Sequence, residues 1–396
     1  MLKKSFLSSQ QNMRSSQRSI IDPFIVMDIM ERAQAVEQKG QSVVHMEVGQ
    51  PGTSAPKAAK EFLKSSMEDN PMGYTVALGL PDLRKKIAGL YSDWYGLDID
   101  WNRIIITSGS SAGFVLAFTA LFDRDEKVGL ANPGYPSYRQ IMKALNLEPV
   151  LINTTEKNKF QPHPSELSNH TINGLLIASP GNPTGCMIER DALNELINYC
   201  NHKKVSLISD EIYHGIQYEM KPSTALEFSD SCYVINSFSK YFSMTGWRIG
   251  WIVVPKEHVR IVERIQQNMF ICASHASQIV ALGAFESKGE LEKNLETYKK
   301  NRKKLLNALP EIGLSNIAPP DGAFYLYVDI SEFSSDSYDF TKRMLDIGGV
   351  AITPGIDFDP VNGKSMIRIS YARSTPEILT GIERIKKFMN EKKYIR

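Results

Sequence analysis

The residues that could carry chemistry gather around Lys240, which follows a β-branched and aromatic run at 233–236 and precedes Arg248 by eight positions. Apolar surroundings disfavour a charged lysine, so the pKa of the Lys240 amine should fall and the amine should become nucleophilic. Such an amine can form a Schiff base, and nearby hydroxyls together with an arginine suit a phosphate dianion. The hydroxyls flanking Lys240 are Ser237, Ser239 and Ser243.

Two upstream segments offer partners for this lysine. A predicted buried strand at 172–178 leads into a turn at 179–185, which contains two prolines, two glycines and Asn182. A second predicted strand, at 205–209, ends in Asp210, and a carboxylate there is a candidate partner for a cationic ring nitrogen. Taken singly, Asp210 could be a helix cap and Asn182 a turn former. Their order along the chain with Lys240 and Arg248 indicates a shared site.

This set of residues resembles the class I/II aminotransferases, which are pyridoxal-phosphate enzymes of fold type I similar to aspartate aminotransferases. The resemblance runs from about Gly49 to Arg368 and implies that Lys240 binds the cofactor covalently and later shuttles a proton. It also implies that Asp210 keeps the pyridine nitrogen protonated. Asn182 and Tyr213 match the groups that hydrogen-bond the ring oxygen, whereas Ser237 and Arg248 match phosphate ligands.

Further positions match the same family. The turn at 107–113 follows the strand predicted at 104–107 and precedes a helix, so its backbone N–H groups and hydroxyls are suited to an anion. The resemblance places the phosphate there. It also implies that Tyr135 stacks on the pyridine ring and that Tyr74 reaches the partner subunit's phosphate across a homodimer interface. The phosphate turn contributes Ser110, Ser111 and Ala112, and the predicted substrate-binding residues are Gly49, Asn182 and Arg368. The predicted catalytic residues are Lys240, Asp210 and Tyr213.

Bulk composition excludes several other classes of function. The chain has 396 residues, and its 46 basic and 44 acidic side chains give a formal charge of +2, so neither nucleic acid nor anionic membrane is an expected partner. No apolar run approaches the roughly 20 residues of a membrane helix. The four cysteines form no C-x-x-C pair and the seven histidines show no metal-ligand spacing. We therefore expect free thiols, no metal and a cytoplasmic enzyme.

Strand and helix patterns alternate from residue 104 to residue 254, which predicts an α/β fold with a mainly parallel seven-stranded sheet covered by helices. A change of pattern after 286–308 predicts a smaller α+β domain. The expected division is a large cofactor-binding domain at 48–289 and a small domain formed by 1–47 with 290–396. Residues 1–21 contain four basic residues and no acid until Asp22, so they are either a targeting peptide or a flexible arm.

The predicted reaction is ping-pong transfer of an amino group between an L-amino acid and a 2-oxo acid, of aspartate/alanine type or broad specificity with 2-oxoglutarate. Two alternatives stay open, because one fold hosts several chemistries. One is a pyridoxal-phosphate-dependent β-lyase (C–S lyase), and the more remote one is a domain that senses the cofactor. The segment 268–275 is expected to border the pocket, where its apolar members Met269, Phe270 and Ile271 favour a neutral side chain.

Overall fold

The computed structural model describes residues 14–391, in which twelve α-helices and twelve β-strands are found. The helices are α1 (Ile25–Gln38), α2 (Lys57–Asp69), α3 (Pro81–Tyr95), α4 (Gly109–Leu121), α5 (Pro136–Ala144), α6 (Pro164–Leu167), α7 (Arg190–Lys203), α8 (Val259–Met269), α9 (His275–Ala284), α10 (Lys288–Ala308), α11 (Ser337–Asp346) and α12 (Thr375–Asn390). None of these helices combines the length and the apolar character that a membrane crossing requires.

The strands are β1 (Val44–His45), β2 (Ile104–Thr107), β3 (Lys127–Asn132), β4 (Glu148–Asn153), β5 (Gly174–Ala178), β6 (Ser206–Asp210), β7 (Tyr233–Ser237), β8 (Gly250–Val253), β9 (Tyr325–Asp329), β10 (Val350–Ala351), β11 (Thr353–Pro354) and β12 (Met366–Ser370). Seven of them form the main sheet in the order β2-β8-β7-β6-β5-β3-β4, with β8 antiparallel to both neighbours. The predicted mainly parallel seven-stranded sheet is confirmed.

Alternate residues of the central strands enter two different hydrophobic cores. Leu175 and Ile177 lie in the core on one face of the sheet, whereas Leu176 lies in the core on the other face. Helices cover both faces, which is why these strands are continuous apolar runs rather than alternating apolar and polar ones. Burying each such side chain contributes about 1.5–3 kcal/mol to the stability of the fold, so the sheet holds the segments at its edge in fixed positions.

Strand register brings the chemical segments to that edge. Ala178 pairs with Asp210, and Asp210 pairs with Ile235, while Ser237 pairs with Gly250. The segments that follow β5, β6 and β7 therefore leave the sheet side by side. The carboxyl edge of a parallel sheet is where α/β folds bind ligands.

A separate core lies under the three-stranded sheet β11-β12-β9. It joins Val44 and Met46 to residues after 297, and it also includes Tyr213 and Ile216. Strand β1 pairs in parallel with β10, which ties the N-terminal segment to this part of the chain. Strands β10 and β11 are separated by the single residue Ile352. The domain boundaries at 48 and 289 stay a prediction. Of the segment 1–21 that was predicted to be a targeting peptide or a flexible arm, residues 1–13 lie outside the described residues.

Candidate active site

A cavity of about 220 Å³ lies at the carboxyl edge of the main sheet. Most predicted site residues line it, although they come from eight separate stretches of the chain. The predicted residues in its wall are Gly49, Ser110, Ser111, Tyr135, Asn182, Asp210, Tyr213, Lys240, Arg248 and Arg368. The fold thus brings ten of the thirteen predicted residues into one enclosure.

Lys240 lies in the turn after β7, where its amine donates a hydrogen bond to the carbonyl of Gly49. Its Nζ is 5.6 Å from the centre of the Tyr213 ring. Burial and the positive charges of Arg368 and Arg248 lower the pKa of Lys240 to about 7, although the Asp210 carboxylate opposes them. The amine is therefore substantially neutral near pH 7, which is the form that can attack a carbonyl.

Asp210 is the last residue of β6 and is 4% exposed. The hydroxyl of Tyr138 and the backbone N–H of Ile212 both donate to its carboxylate. Burial raises the pKa of Asp210 to about 6, while these hydrogen bonds and Lys240 lower it. A cation placed beside this carboxylate would hold it ionised, as a protonated pyridine nitrogen requires.

Arg368 is 1% exposed and crosses the top of the cavity between the rings of Tyr325 and Phe358, 4.5 and 4.6 Å from its guanidinium. Its Nη1 donates to Asn182 Oδ1 at 2.8 Å, and its Nη2 donates to Thr353 Oγ1 at 3.2 Å. Its Nε has no hydrogen-bond partner among the described residues. A buried donor without a partner at a cavity wall is suited to an incoming carboxylate.

The start of α4 and Arg248 form a cationic cradle at the opposite end. Gly109 has φ +75°, and a Cβ at this position would lie 2.5 Å from the Arg248 guanidinium, so only glycine allows this approach. The first N–H groups of a helix have no acceptor inside it, which leaves those of Ser110 and Ser111 available to an anion. A phosphate group therefore fits this donor set.

Three predicted residues lie outside the cavity wall. Ser237 Oγ donates to the Ile249 carbonyl at 2.9 Å and lies 2.8 Å from Ser239 Oγ, and it is Ser239 that reaches the wall. Ala112 is the fourth residue of α4, so its N–H is the first to be used inside the helix. Tyr74 is 83% exposed on the surface. The roles predicted for these three residues stay predictions.

Sequence reasoning missed part of the wall. Tyr325 makes a 2.6 Å hydroxyl contact with Tyr213, and a Cβ on Gly49 would collide with its hydroxyl. Tyr138 could have been noticed three residues after Tyr135, but no sequence signal marks Tyr325. A further unexpected group comes from the start of α1: Phe24, Val26 and Met27.

Three comparisons with known proteins identify relatives of this chain. Residues 41–385 match the family model described as aminotransferase class I and II. A valine–pyruvate aminotransferase of Mycobacterium tuberculosis is 42% identical over 94% of this chain and 97% of its own length. An aspartate aminotransferase of Pyrococcus horikoshii is 30% identical over 93% of this chain and 95% of its own length. A solved structure from Silicibacter pomeroyi is 54% identical, covers 96% of this chain and 100% of its own, and superposes with a TM-score of 0.92.

Proposed function

We propose that this chain, which belongs to aminotransferase class I and II, moves the amino group between a neutral L-amino acid and a small 2-oxo acid. Among the described residues, the cavity wall holds three cationic side chains: Lys240, Arg248 and Arg368. Each of the three suits a different role. In the order given, these roles are covalent attachment of the cofactor, binding of its phosphate and binding of the substrate's α-carboxylate. This leaves no cation in the wall for a side-chain carboxylate, and that observation carries the proposal.

The family match extends over most of the chain and confirms the predicted resemblance, fold type, transaminase activity and use of pyridoxal phosphate. It also favours a transaminase over the β-lyase and over the cofactor-sensing domain, neither of which gains support from any observation here. Amino acids and 2-oxo acids are the substrates of this family. Which amino acid the chain prefers is the part that we propose.

When bound, pyridoxal phosphate supplies an aldehyde for covalent attachment and a ring that accepts electrons from the substrate. Arg248 and the first turn of α4 would hold its phosphate, and Asp210 would face its ring nitrogen. The hydroxyl of Tyr213, which contacts the Tyr325 hydroxyl, would donate towards the ring oxygen. The neutral Lys240 amine is the group that takes the proton from the substrate Cα and returns it at the next step.

Arg368 would bind the substrate's α-carboxylate through two parallel hydrogen bonds, since its planar guanidinium matches that group. Asn182 holds Nη1 in place, and the rings on both sides keep the guanidinium from rotating. Because every amino acid carries an α-carboxylate, this contact does not distinguish one substrate from another.

Discrimination must come from the groups that meet the side chain. The cavity is bordered by three apolar residues from one segment, Phe24, Val26 and Met27. Such a wall favours aliphatic side chains, which agrees with the name of the 42% identical relative. The aspartate aminotransferases among the more distant relatives indicate that a dicarboxylic preference occurs elsewhere in the family.

A panel of amino donors tests the proposal. Purified enzyme is incubated with pyruvate and, separately, with 2-oxoglutarate as acceptor, and the new 2-oxo and amino acids are measured by mass spectrometry. We expect valine and alanine to exceed aspartate by about tenfold or more in kcat/KM, since burying a side-chain carboxylate with no cation to pair with is costly. Aspartate reacting alone would refute the neutral preference. Conversion of a cysteine S-conjugate and water to a thiol, pyruvate and ammonia, without any acceptor, would favour the lyase.

We further propose that the chain acts as a homodimer. Tyr74, Val76, Met269 and Ile271 are at least half exposed, and a bond from His275 to the Gly73 carbonyl joins the two segments that carry them. Exposed apolar groups in one patch favour a protein interface. Light scattering should give a molar mass twice that of the chain. The Ile271→Asp variant should have a lower molar mass, because a charge in the interface weakens the dimer. A fully active monomer would contradict this arrangement and the role predicted for Tyr74.

A further inference from the structure

One part of the cavity wall comes from residues 22–27, which we call the strap. Its residues Phe24, Val26 and Met27 line the cavity, and the Phe24 ring meets the Tyr135 ring edge-on, with 5.7 Å between the ring centres. Val26 is only 3% exposed. The strap is thus an apolar surface that a substrate side chain can contact, although it lies more than 200 residues before Lys240.

The strap runs into α1, and this helix lacks a cap of its own. Phe24 occupies the N-cap position and has no side-chain acceptor for the first N–H groups. The carboxylate of Asp357 supplies both acceptors: Oδ1 accepts from the Ile25 N–H and Oδ2 from the Val26 N–H, each at 3.2 Å. A negative charge at a helix N-terminus is also favourable to the helix dipole.

Asp357 is itself held against the wall of the cavity. Arg139 Nη2 donates to the Asp357 carbonyl at 3.0 Å, and Arg139 Nη1 donates to the next carbonyl, that of Phe358, at 3.2 Å. The Phe358 ring lies against Arg368. Through Asp357, the position of the strap is therefore coupled to the arginine that we assign to the substrate's carboxylate.

We propose that Asp357 is a positioning residue for side-chain specificity, which it sets by capping α1 and holding the strap against the substrate. This inference rests on the proposed function, because it assumes that an amino-acid side chain enters this part of the cavity. Asp357 is not among the residues that line the cavity, so it would act through the strap and its effect should depend on the size of the side chain.

The test compares Asp357→Ala and Asp357→Asn with Ser374→Ala. Ser374 is the control, because its side chain caps α12 by accepting from the Glu377 N–H, at a helix that supplies no residue to the cavity wall. Hydrogen exchange is measured on each full-length protein. We expect faster exchange at residues 25–28 in Asp357→Ala, a smaller change in Asp357→Asn, which keeps one acceptor, and none there in Ser374→Ala.

Kinetics with valine and alanine then distinguish two roles of Asp357: positioning the strap against the substrate, and stabilising the fold without affecting specificity. In Asp357→Ala, kcat/KM for valine should fall about tenfold relative to that for alanine, chiefly through KM, because the lost contact is with the larger side chain. An equal loss for both substrates would mean that Asp357 acts through Arg368, and faster exchange with an unchanged ratio would mean that the strap is not the wall. Either result overturns the inference.

The two proposals can fail separately. If wild-type enzyme takes neither valine nor alanine, the proposed preference is wrong, but hydrogen exchange still reports whether Asp357 holds the strap. The kinetic comparison is then made with the largest and smallest substrates that the enzyme does accept. A ratio that Asp357→Ala leaves unchanged with that pair also refutes the positioning role.

Discussion

The cavity has two ends that are built differently. The cofactor end is built by groups that project from neighbouring strands of one sheet: the first turn of α4, Asp210, Lys240 and Arg248. Each of them lies in or beside a short motif. At the substrate end, Gly49, Tyr325, Arg368 and the strap come together from separate parts of the chain. The sheet edge fixes the residues that the reaction of every substrate needs. A surface assembled from loops and a helix start can change without disturbing those residues. We expect substitutions at the first end to affect all substrates and those at the second to discriminate among them.

The largest effect should come from the cofactor end. Lys240→Ala removes both the nucleophile and the proton carrier, so transamination should fall at least about 10⁴-fold for every amino acid. Borohydride reduction of the loaded wild-type protein, followed by peptide mass spectrometry, should find the pyridoxyl group on Lys240 and none in the variant. Unchanged melting temperature and circular dichroism would show that the fold survives, and normal turnover by this variant would refute the site assignment.

A smaller effect is expected from Arg368→Lys at the substrate end. A lysine keeps the charge but cannot form two parallel hydrogen bonds. The activation free energy should therefore rise by about 3 kcal/mol, which lowers kcat/KM roughly a hundredfold. Because the contact is with the α-carboxylate, alanine and valine should lose equally, in contrast to the expected effect of Asp357→Ala. The affinity for pyridoxal phosphate, measured by fluorescence titration, should change little. A loss confined to one amino acid would contradict the role given to Arg368.

Tyr138→Phe should have a more modest effect, about tenfold in kcat, since it removes one hydrogen bond to a buried carboxylate. That hydrogen bond lowers the pKa of Asp210, so its loss should raise this pKa further above its ordinary value. The carboxylate is then lost at a higher pH, and the acid limb of the kcat profile should move towards neutral pH. Tyr135→Phe, which removes a hydroxyl that does not bond Asp210, is the control, and its acid limb should not move.

The mildest perturbation is a change of pH in the cofactor-free protein. Because the pKa of Lys240 is lowered to about 7, its labelling by a small amine-selective reagent should reach half its maximal rate near that pH. Ordinary exposed lysines should require a pH of about 10.4. Between these values the unfolded chain binds more protons than the folded one, so this group makes stability increase with pH. A half-point for Lys240 above pH 9 would mean that the amine is not desolvated.

The residues of the cofactor end could be predicted from the sequence alone, because they follow predictable strands at short, fixed spacings. A buried strand, a turn or helix start, and one polar residue at the junction are local features, and parallel strands must bring such junctions to one edge. For that reason Lys240, Asp210, Asn182 and Arg248 could be assigned together, and so could the main sheet.

Tertiary structure decided what local features do not encode. The orientation of Ser237 depends on its bond to the Ile249 carbonyl, which leaves Ser239 at the wall. The contact of Tyr325 with Tyr213 and the capping of α1 by Asp357 join residues separated by 112 and more than 330 positions. Such pairs have no spacing or periodicity that connects them in the sequence. They exist because tertiary packing places Ile25 and Val26 beside Asp357, and Tyr213 beside Tyr325.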